Sequence, residues 1–320
     1  MAYHLIDVSY EKNFESINYT FFYNISYLFM VTLLYLMIKN MFYIPFHLAR
    51  IMNEYPKFNI VGEEWSYNPI RIAYWQDGNN NKDGYQSNLK STMDFAMQKA
   101  IFEGIYEKEN WDTGLIKVYE SLANDFYYND PNSLLVFNDN HDMSRIYTQM
   151  KEDVSKTKMA IGLMLMLPRI PQILYGTEIL MEDSAKPGDH GLIRTDFPGG
   201  WKNDNTNAFS GENMKNDQLE MQNYMKTILN FRKNSKAIHY GQTLHFAPID
   251  GVYLISRKKD DETVIYIVNK NNSSKELNLD RFNQLGVNNM IFTEVCTKEK
   301  FKWTNSITLK KNSSIILTNR

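Results

Sequence analysis

The feature that most constrains the fold is a run of four apolar residues, 134–137, that leads without a break into the polar cluster 138–142, Asn-Asp-Asn-His-Asp. A short apolar run that ends in polar residues is typical of a buried strand whose carboxyl end opens onto a site. The same pattern occurs upstream, where a short apolar run is followed by Gly62 and Glu63. Because ligands bind at the carboxyl ends of parallel strands, the two clusters predict one site with a carboxyl group on each strand. Two carboxyl groups in this arrangement suggest chemistry on sugar linkages.

The overall charge excludes one class of partner. The chain has 35 basic and 37 acidic residues, which gives a net charge of -2. Proteins that bind nucleic acid carry a basic excess, so no nucleic-acid partner is expected. Aromatic residues make up 14% of the chain, a content that suits sugar stacking and protein partners equally. The single Cys296 rules out an internal disulfide and is expected to be a small buried apolar residue.

The first part of the chain differs from the rest. No residue between Glu15 and Lys39 is charged, and residues 21–38 are apolar apart from three polar positions. This stretch is long enough to span a bilayer, but the acids before it make it a poor secretory signal. Three alternatives remain open for it: a membrane anchor, a buried helix, or residues that are not the natural amino terminus. The compartment stays undecided between periplasmic, extracellular and cytoplasmic.

From about residue 46 short apolar runs alternate with helical patterns, which predicts βαβ units and a parallel sheet. Strands are expected at residues 59–62, 92–95, 134–137 and 173–175, and helices at residues 49–55, 113–128, 155–167 and 217–232. After residue 235 the pattern changes to short strands separated by polar turns, which predicts a small antiparallel sandwich. We therefore expect three parts: an atypical apolar segment at 1–47, an α/β part at 48–234, and a β module at 235–320.

Three motifs, in order along the chain, carry a resemblance. They are residues 60–65, Ile-Val-Gly-Glu-Glu-Trp; residues 137–145, which contain Asn-His-Asp and Arg145; and residues 170–178, Ile-Pro-Gln-Ile-Leu-Tyr-Gly-Thr-Glu. Together they resemble signatures of the alpha-amylase family of glycoside hydrolases, family thirteen. Their order is similar to that of strands five, seven and eight of a TIM-type (β/α)8 barrel. Residues 196–201, Asp-Phe-Pro-Gly-Gly-Trp, look most like the bacterial neopullulanase and cyclomaltodextrinase-like members.

The resemblance covers about residues 48–320 and implies a fold. It predicts the C-terminal half of a TIM-type (β/α)8 barrel, about strands five to eight, followed by the β-sandwich domain. The chain would then be an N-terminally truncated member of the family. A half-barrel leaves two open strand edges, whereas a closed barrel has none.

The resemblance also implies a function and a site. The function is retaining hydrolysis of α-glucosidic bonds in starch, maltodextrin or cyclomaltodextrin, with an α-glucan or maltooligosaccharide as the substrate. Glu63 matches the general acid, and Asp142 matches the acid that stabilises the oxocarbenium-like transition state. The substrate-binding candidates are His141, Asn140, Arg145, Trp65 and Arg194. The two arginines either contact substrate and orient acids or form structural ion pairs. Trp65, Tyr67, Trp75 and Trp201 either stack on sugar rings or pack in the core.

One expected residue is missing. In the family the nucleophilic aspartate stands in a Gly-x-Arg-x-Asp signature before the general acid, and residues 33–49 contain no Asp or Glu. We therefore expect this chain to be inactive alone. Two alternatives remain: a membrane-anchored, non-catalytic glycosidase-like protein, and an α-glucan glycosyltransferase, in which a sugar hydroxyl instead of water intercepts the glycosyl intermediate.

No cofactor is expected, and metal binding is left open. Residues 77–84 alternate oxygen-bearing side chains, as calcium loops do. However, Lys82 stands where such a loop needs glycine, and no glutamate closes the loop. The pattern favours a surface loop over a calcium site, although some family members bind calcium.

Overall fold

The structure, a computed structural model, describes residues 43–320 and the side chains from Leu48 onward. The described residues form two compact units. One contains residues up to Met93 together with Tyr127–Ser133, and the other contains Asp94–Phe126 and Leu134–Arg320. The predicted apolar stretch at 21–38 lies outside the described residues, as does most of segment 1–47. Within the described part of the chain, no helix has both the length and the apolar content that a membrane span needs.

The helices and strands follow one another in the order that the resemblance implies. The helices are α1 (Tyr43–Glu54) and α2 (Pro69–Tyr74) in the first unit, and α3 (Phe95–Tyr106), α4 (Ile116–Ala123), α5 (Ile146–Gln149), α6 (Val154–Met166), α7 (His190–Ile193), α8 (Asn216–Lys233) and α9 (Lys236–Tyr240) in the second. The strands are β1 (Val61–Gly62), β2 (Ser91–Thr92), β3 (Leu135–Val136), β4 (Ile170–Pro171), β5 (Gln242–Ile249), β6 (Val252–Lys259), β7 (Glu262–Asn269), β8 (Lys275–Asn278), β9 (Ile291–Glu294), β10 (Lys300–Lys302), β11 (Ser306–Leu309) and β12 (Ser313–Thr318).

The first four strands form parallel pairs, as expected for this half of a TIM-type barrel. Strand β1 pairs with β2 in the first unit, and β3 pairs with β4 in the second. Each pair is connected through helices, because a parallel connection needs a crossover. The predicted parallel α/β architecture is confirmed.

Two strands were predicted at the wrong positions. The strand expected at 173–175 is instead Ile170–Pro171, whose ladder continues to the N–H of Gln172, 2.8 Å from the Val136 carbonyl. The residues after it have no strand pairing and lead into a turn at Tyr175 and Gly176, where Gly176 has a φ of 86°. The strand expected at 92–95 ends at Thr92, because Asp94 caps α3 by accepting from the Met97 N–H at 3.0 Å. Helix α3 itself was not predicted, and α4 is shorter than the expected 113–128.

Helix α6 is the centre of the second unit. Nearly every residue from Met159 to Met166 is buried, and a helix that is apolar all round must be covered on all sides. Its neighbours are α3 and α8 together with strands β7 and β12. The side chain of Asp153 caps the start of the helix by accepting from the Lys156 N–H at 3.0 Å.

The C-terminal strands form the predicted antiparallel sandwich. Six strands lie in the order β10-β9-β12-β7-β6-β5, and β8 pairs with β11 in a second layer. The β5–β6 turn uses Asp250 and Gly251, both with positive φ, as a tight hairpin turn requires. Strand β7 is buried along its whole length because both faces of the sheet are covered. On one face the hydroxyl of Tyr266 donates to the Met159 carbonyl of α6 at 3.0 Å. On the other face Trp303 and Phe282 fill a second core.

Candidate active site

The first unit presents Glu63 at the carboxyl end of β1. Gly62 precedes it and packs so closely on Leu89 that a β-carbon would lie 3.7 Å from Leu89 Cγ and closer still to Cδ1. The next residue, Glu64, is buried and accepts from Arg71 at 2.7 Å. Of the two adjacent acids, Glu64 therefore has an internal structural partner, while Glu63 is half-buried at the strand end. Trp65, the other candidate of this unit, is exposed.

The second unit gathers four of the predicted residues at the carboxyl end of β3. The Asn140 side chain accepts from the Asp142 N–H at 2.8 Å, which fixes the turn after the strand. One carboxylate oxygen of Asp142 lies 2.5 Å from an Arg194 nitrogen, and the other lies 3.4 Å from Nε2 of His141. Arg194 also donates through Nε to the His141 carbonyl at 2.9 Å. The carboxylate is thus oriented by Arg194 and His141, and both of these side chains reach solvent.

Arg145 has a different position from the other candidates. Its side chain is fully buried, and its Nε and Nη2 donate to the Ile193 carbonyl at 3.0 and 2.6 Å. Its Nη1 donates to the carbonyl of Tyr175, whose ring lies 4.9 Å from the guanidinium carbon. Arg145 therefore joins the turn after β3 to the turn after β4 and to the residue before Arg194. A structural role fits this geometry, although the hydrogen-bond partners are backbone carbonyls and not the acid of the expected ion pair.

Two buried acids beside the cluster were missed in the sequence. Burial raises the pKa of Asp139 to about 6, although its carboxylate accepts from the Ile146 N–H at 2.6 Å and lies near Arg145. Asp183 accepts from the Ser144 hydroxyl at 2.6 Å and from the Gly188 N–H at 2.7 Å. Burial alone would raise the pKa of Asp183, but these hydrogen bonds outweigh it and hold the pKa below its usual value. Asp139 lies within the polar cluster 138–142. Its position between an apolar strand and Asn140 is the sequence signal that could have identified it as a site residue.

The residues of the 77–84 loop do not fit a calcium ion. The amide of Asn81 donates to the carbonyls of Tyr74 and Tyr85 at 2.9 and 3.2 Å, and Asn79 donates to Ala73. The Asp83 carboxylate accepts from the Tyr74 hydroxyl at 2.9 Å. The loop therefore uses its polar side chains to hold its own backbone, which leaves no convergent set of oxygens. Among residues 43–320 there is no group of three His, Cys, Asp or Glu residues placed to hold a metal.

Comparison with known families gives a consistent result. The family model of the alpha amylase catalytic domain matches residues 39–239, and that of the cyclo-malto-dextrinase C-terminal domain matches residues 243–318. A cyclomaltodextrin glucanotransferase from Thermoanaerobacterium thermosulfurigenes is 28% identical over 224 residues, which cover 68% of this chain and 28% of that protein. Alpha-amylase 3 of Dictyoglomus thermophilum is 25% identical over 280 residues, covering 82% of this chain and 51% of that protein.

Solved structures agree on the fold. The alpha-amylase of Geobacillus thermoleovorans, complexed with acarbose, superimposes with a TM-score of 0.67 at 20% identity, over 85% of this chain and 55% of that one. The chain spans about half the length of the relatives it matches, or less. Family models match both the catalytic domain and the C-terminal domain, and the parallel strands carry Glu63 and Asp142 at their carboxyl ends. The chain therefore belongs to the alpha-amylase family.

Proposed function

We propose that this chain binds α-glucans and carries part of the catalytic machinery of a retaining glycoside hydrolase. The observation that carries the proposal is the Asp142 cluster. Its carboxylate stands at a strand end and is oriented by Arg194, while His141 offers an exposed donor beside it. An oriented carboxylate next to side-chain donors suits the hydroxyls of a sugar ring and the positive charge that develops at the anomeric carbon.

The proposed roles follow from these positions. Glu63 is the general acid that protonates the glycosidic oxygen, and Asp142 stabilises the transition state. His141, Asn140 and Arg194 form or orient the sugar-binding surface. In a separate role, Arg145 is a positioning residue, because its guanidinium is buried and bonded to backbone carbonyls.

The proposed chemistry is incomplete in one respect. Residues 33–49, which precede the general acid, contain no Asp or Glu to act as the nucleophile. We therefore expect binding of maltooligosaccharides without appreciable turnover by this chain alone. Solved relatives include an alpha-amylase complexed with acarbose and AmyP in complex with maltose, which supports this ligand class.

A proposed division of the chain accompanies these roles. Residues 48–234 supply the barrel part and residues 235–320 the β-sandwich, with 1–47 as a separate segment. The boundary between the two family matches, at residues 239 and 243, supports a division close to residue 235. The C-terminal match also supports a cyclomaltodextrinase-like member of the family.

The test measures maltoheptaose binding by calorimetry and its cleavage by product analysis. We expect Asp142→Ala to weaken binding at least tenfold and Glu63→Gln to leave binding within twofold. Asp280→Asn, which changes an exposed acid of the β module, is the matched control and should bind like the unaltered chain. Absence of maltoheptaose binding by the unaltered chain would refute the proposal. Turnover that Glu63→Gln abolishes would show that a nucleophile is present after all.

A glycosyltransferase is the second candidate. The observation that favours it is the similarity to cyclomaltodextrin glucanotransferases, 28% identical over 224 residues. The two activities differ only in whether water or a sugar hydroxyl takes the glycosyl group. Products longer than the supplied maltooligosaccharide, formed by a protein in which the nucleophile is restored, would distinguish transfer from hydrolysis.

A further inference from the structure

The loop between α7 and α8 presents aromatic side chains to solvent. Trp201 is 67% exposed and Phe209 is 76% exposed. Phe197 packs against Phe209, with ring centroids 5.2 Å apart. Exposed aromatic side chains that are grouped on one loop, unlike isolated ones, are typical of binding surfaces. We refer to residues 196–213 as the aromatic loop.

The aromatic loop is held by its own side chains. One oxygen of Asp204 accepts from the N–H groups of Gly199 and Trp201 at 2.7 and 3.0 Å. The Asn207 side chain likewise accepts from the Phe209 N–H at 2.9 Å. A loop whose backbone is fixed while its aromatic rings face water loses little conformational entropy when a ligand binds.

The base of the loop is anchored to helix α8. Ala208 is buried, its N–H donates to the Pro198 carbonyl at 3.1 Å, and its carbonyl accepts from Gln222 at 3.0 Å. Ala208, between Asn207 and Phe209, thus anchors this part of the loop to the helix.

The loop is continuous with the Asp142 cluster. It begins two residues after Arg194, which contacts the Asp142 carboxylate. The residue between them, Thr195, accepts from the Tyr175 hydroxyl at 2.9 Å through its carbonyl. The aromatic loop therefore follows the Asp142 cluster directly along the chain, and the Tyr175 hydroxyl fixes the connecting residue.

The chemistry of the loop points to a neutral polyhydroxylated ligand. Residues 196–213 contain one basic residue, Lys202, and three acidic ones, which does not suit an anionic polymer or lipid headgroup. The same loop also exposes Asn203, Asn205 and Ser210, whose amides and hydroxyl can bond to sugar hydroxyls. Aromatic faces with a polar rim match a sugar ring, which has apolar faces and a polar edge.

We propose that the aromatic loop is a binding site for an α-glucan chain, on which Trp201 and Phe209 stack sugar rings beyond the Asp142 cluster. This inference rests on the proposed function, because it takes the same ligand. It assigns Trp201 to sugar contact, where the sequence left core packing equally open. It also assigns Asp204 as a positioning residue that holds the Trp201 backbone.

The experiment uses the full chain and measures the dissociation constant of maltoheptaose by calorimetry, with thermal melting to check folding. Trp201→Ala is expected to raise the dissociation constant about tenfold, and Phe209→Ala at least threefold. Trp111→Ala removes a tryptophan that is 93% exposed on another loop, and it should change binding less than twofold. Asp204→Ala should weaken binding, whereas Asp204→Asn, which keeps an acceptor oxygen, should restore it.

The outcomes separate this inference from the proposed function. If the unaltered chain binds maltoheptaose, and both Trp201→Ala and Phe209→Ala bind within twofold of it, the aromatic loop is not part of the sugar site. The proposed function then stands and this inference fails. If the unaltered chain does not bind maltoheptaose, the proposed function fails and this inference fails with it.

Discussion

Gly162 provides a direct test of how the C-terminal sheet packs on α6. Gly162 lies inside this helix, and a β-carbon placed on it would come within 2.6 Å of Cζ and 2.9 Å of Cε2 of Tyr266. Tyr266 is buried, and its hydroxyl donates to the Met159 carbonyl of the same helix. The tyrosine ring therefore occupies the space that an alanine side chain at position 162 would need.

The magnitude follows from two opposing effects. At an unobstructed interior position, replacing glycine by alanine stabilises a helix by about 1 kcal/mol. Forcing a methyl group into a packed core costs about 1–3 kcal/mol, and losing the Tyr266 hydrogen bond costs about 1 kcal/mol more. We therefore expect Gly162→Ala to lower the free energy of unfolding by about 1–3 kcal/mol. Urea denaturation followed by circular dichroism measures the change.

Two comparisons make the test specific. Gly191→Ala, at an exposed position whose nearest neighbour is an Asp189 oxygen at 3.1 Å, should change stability by less than about 0.5 kcal/mol. Combining Gly162→Ala with Tyr266→Leu should be less destabilising than the sum of the single changes by about 1 kcal/mol or more, because the smaller side chain makes room. An increase in stability of the Gly162→Ala protein would refute the proposed contact.

Two further predictions concern buried charge. Burial raises the pKa of Asp139 from 3.8 to about 6, so the native state holds the Asp139 proton more tightly than the unfolded state. The stability that this protonated carboxyl group contributes is therefore lost as the pH rises from about 4 to about 6. Asp139→Asn keeps an acceptor for Ile146, so relative to the unaltered chain it should gain about 2 kcal/mol between pH 4 and pH 7 in urea titrations; an unchanged difference would contradict the shift. The Lys270 side chain is largely covered; it donates to the Gly104 carbonyl at 2.7 Å and pairs with Glu109 at 2.7 Å. Lys270→Met should therefore cost about 2 kcal/mol, and Lys259→Met, at an exposed position, less than about 0.5 kcal/mol; equal costs would contradict a specific role for Lys270.

The sequence predicts the periodic parts of the fold well. Helix α6 and the strand before Asn138 are found close to their expected places, because each combines a long apolar pattern with a clear cap or polar end. Helix α3 was missed because most of its residues are buried, so it lacks the polar face that marks an amphipathic helix. The prediction of a strand at 173–175 was wrong for a related reason, because an apolar segment that leads into a turn has the same composition as a buried strand.

The site was predicted less evenly than the fold. Asp142, His141 and Arg194 were named from motifs, and the structure brings these three into contact. The burial of Arg145 could not be inferred, because its partners lie 30 and 48 residues away along the chain. An arginine in a polar run gives no local sign that its charge will be satisfied by distant carbonyl groups.

The contact between α6 and the C-terminal sheet limits how this protein can be recombined. Tyr266 of β7 fits against a helix position without a side chain, so the helix and the sheet are matched to each other residue by residue. A chimera that grafts the β module of another family member onto this barrel part would have to bring a residue compatible with Gly162. Exchanging the helix and the sheet together would preserve their packing. A sheet transplanted alone would either clash sterically with the helix or leave a cavity beside it.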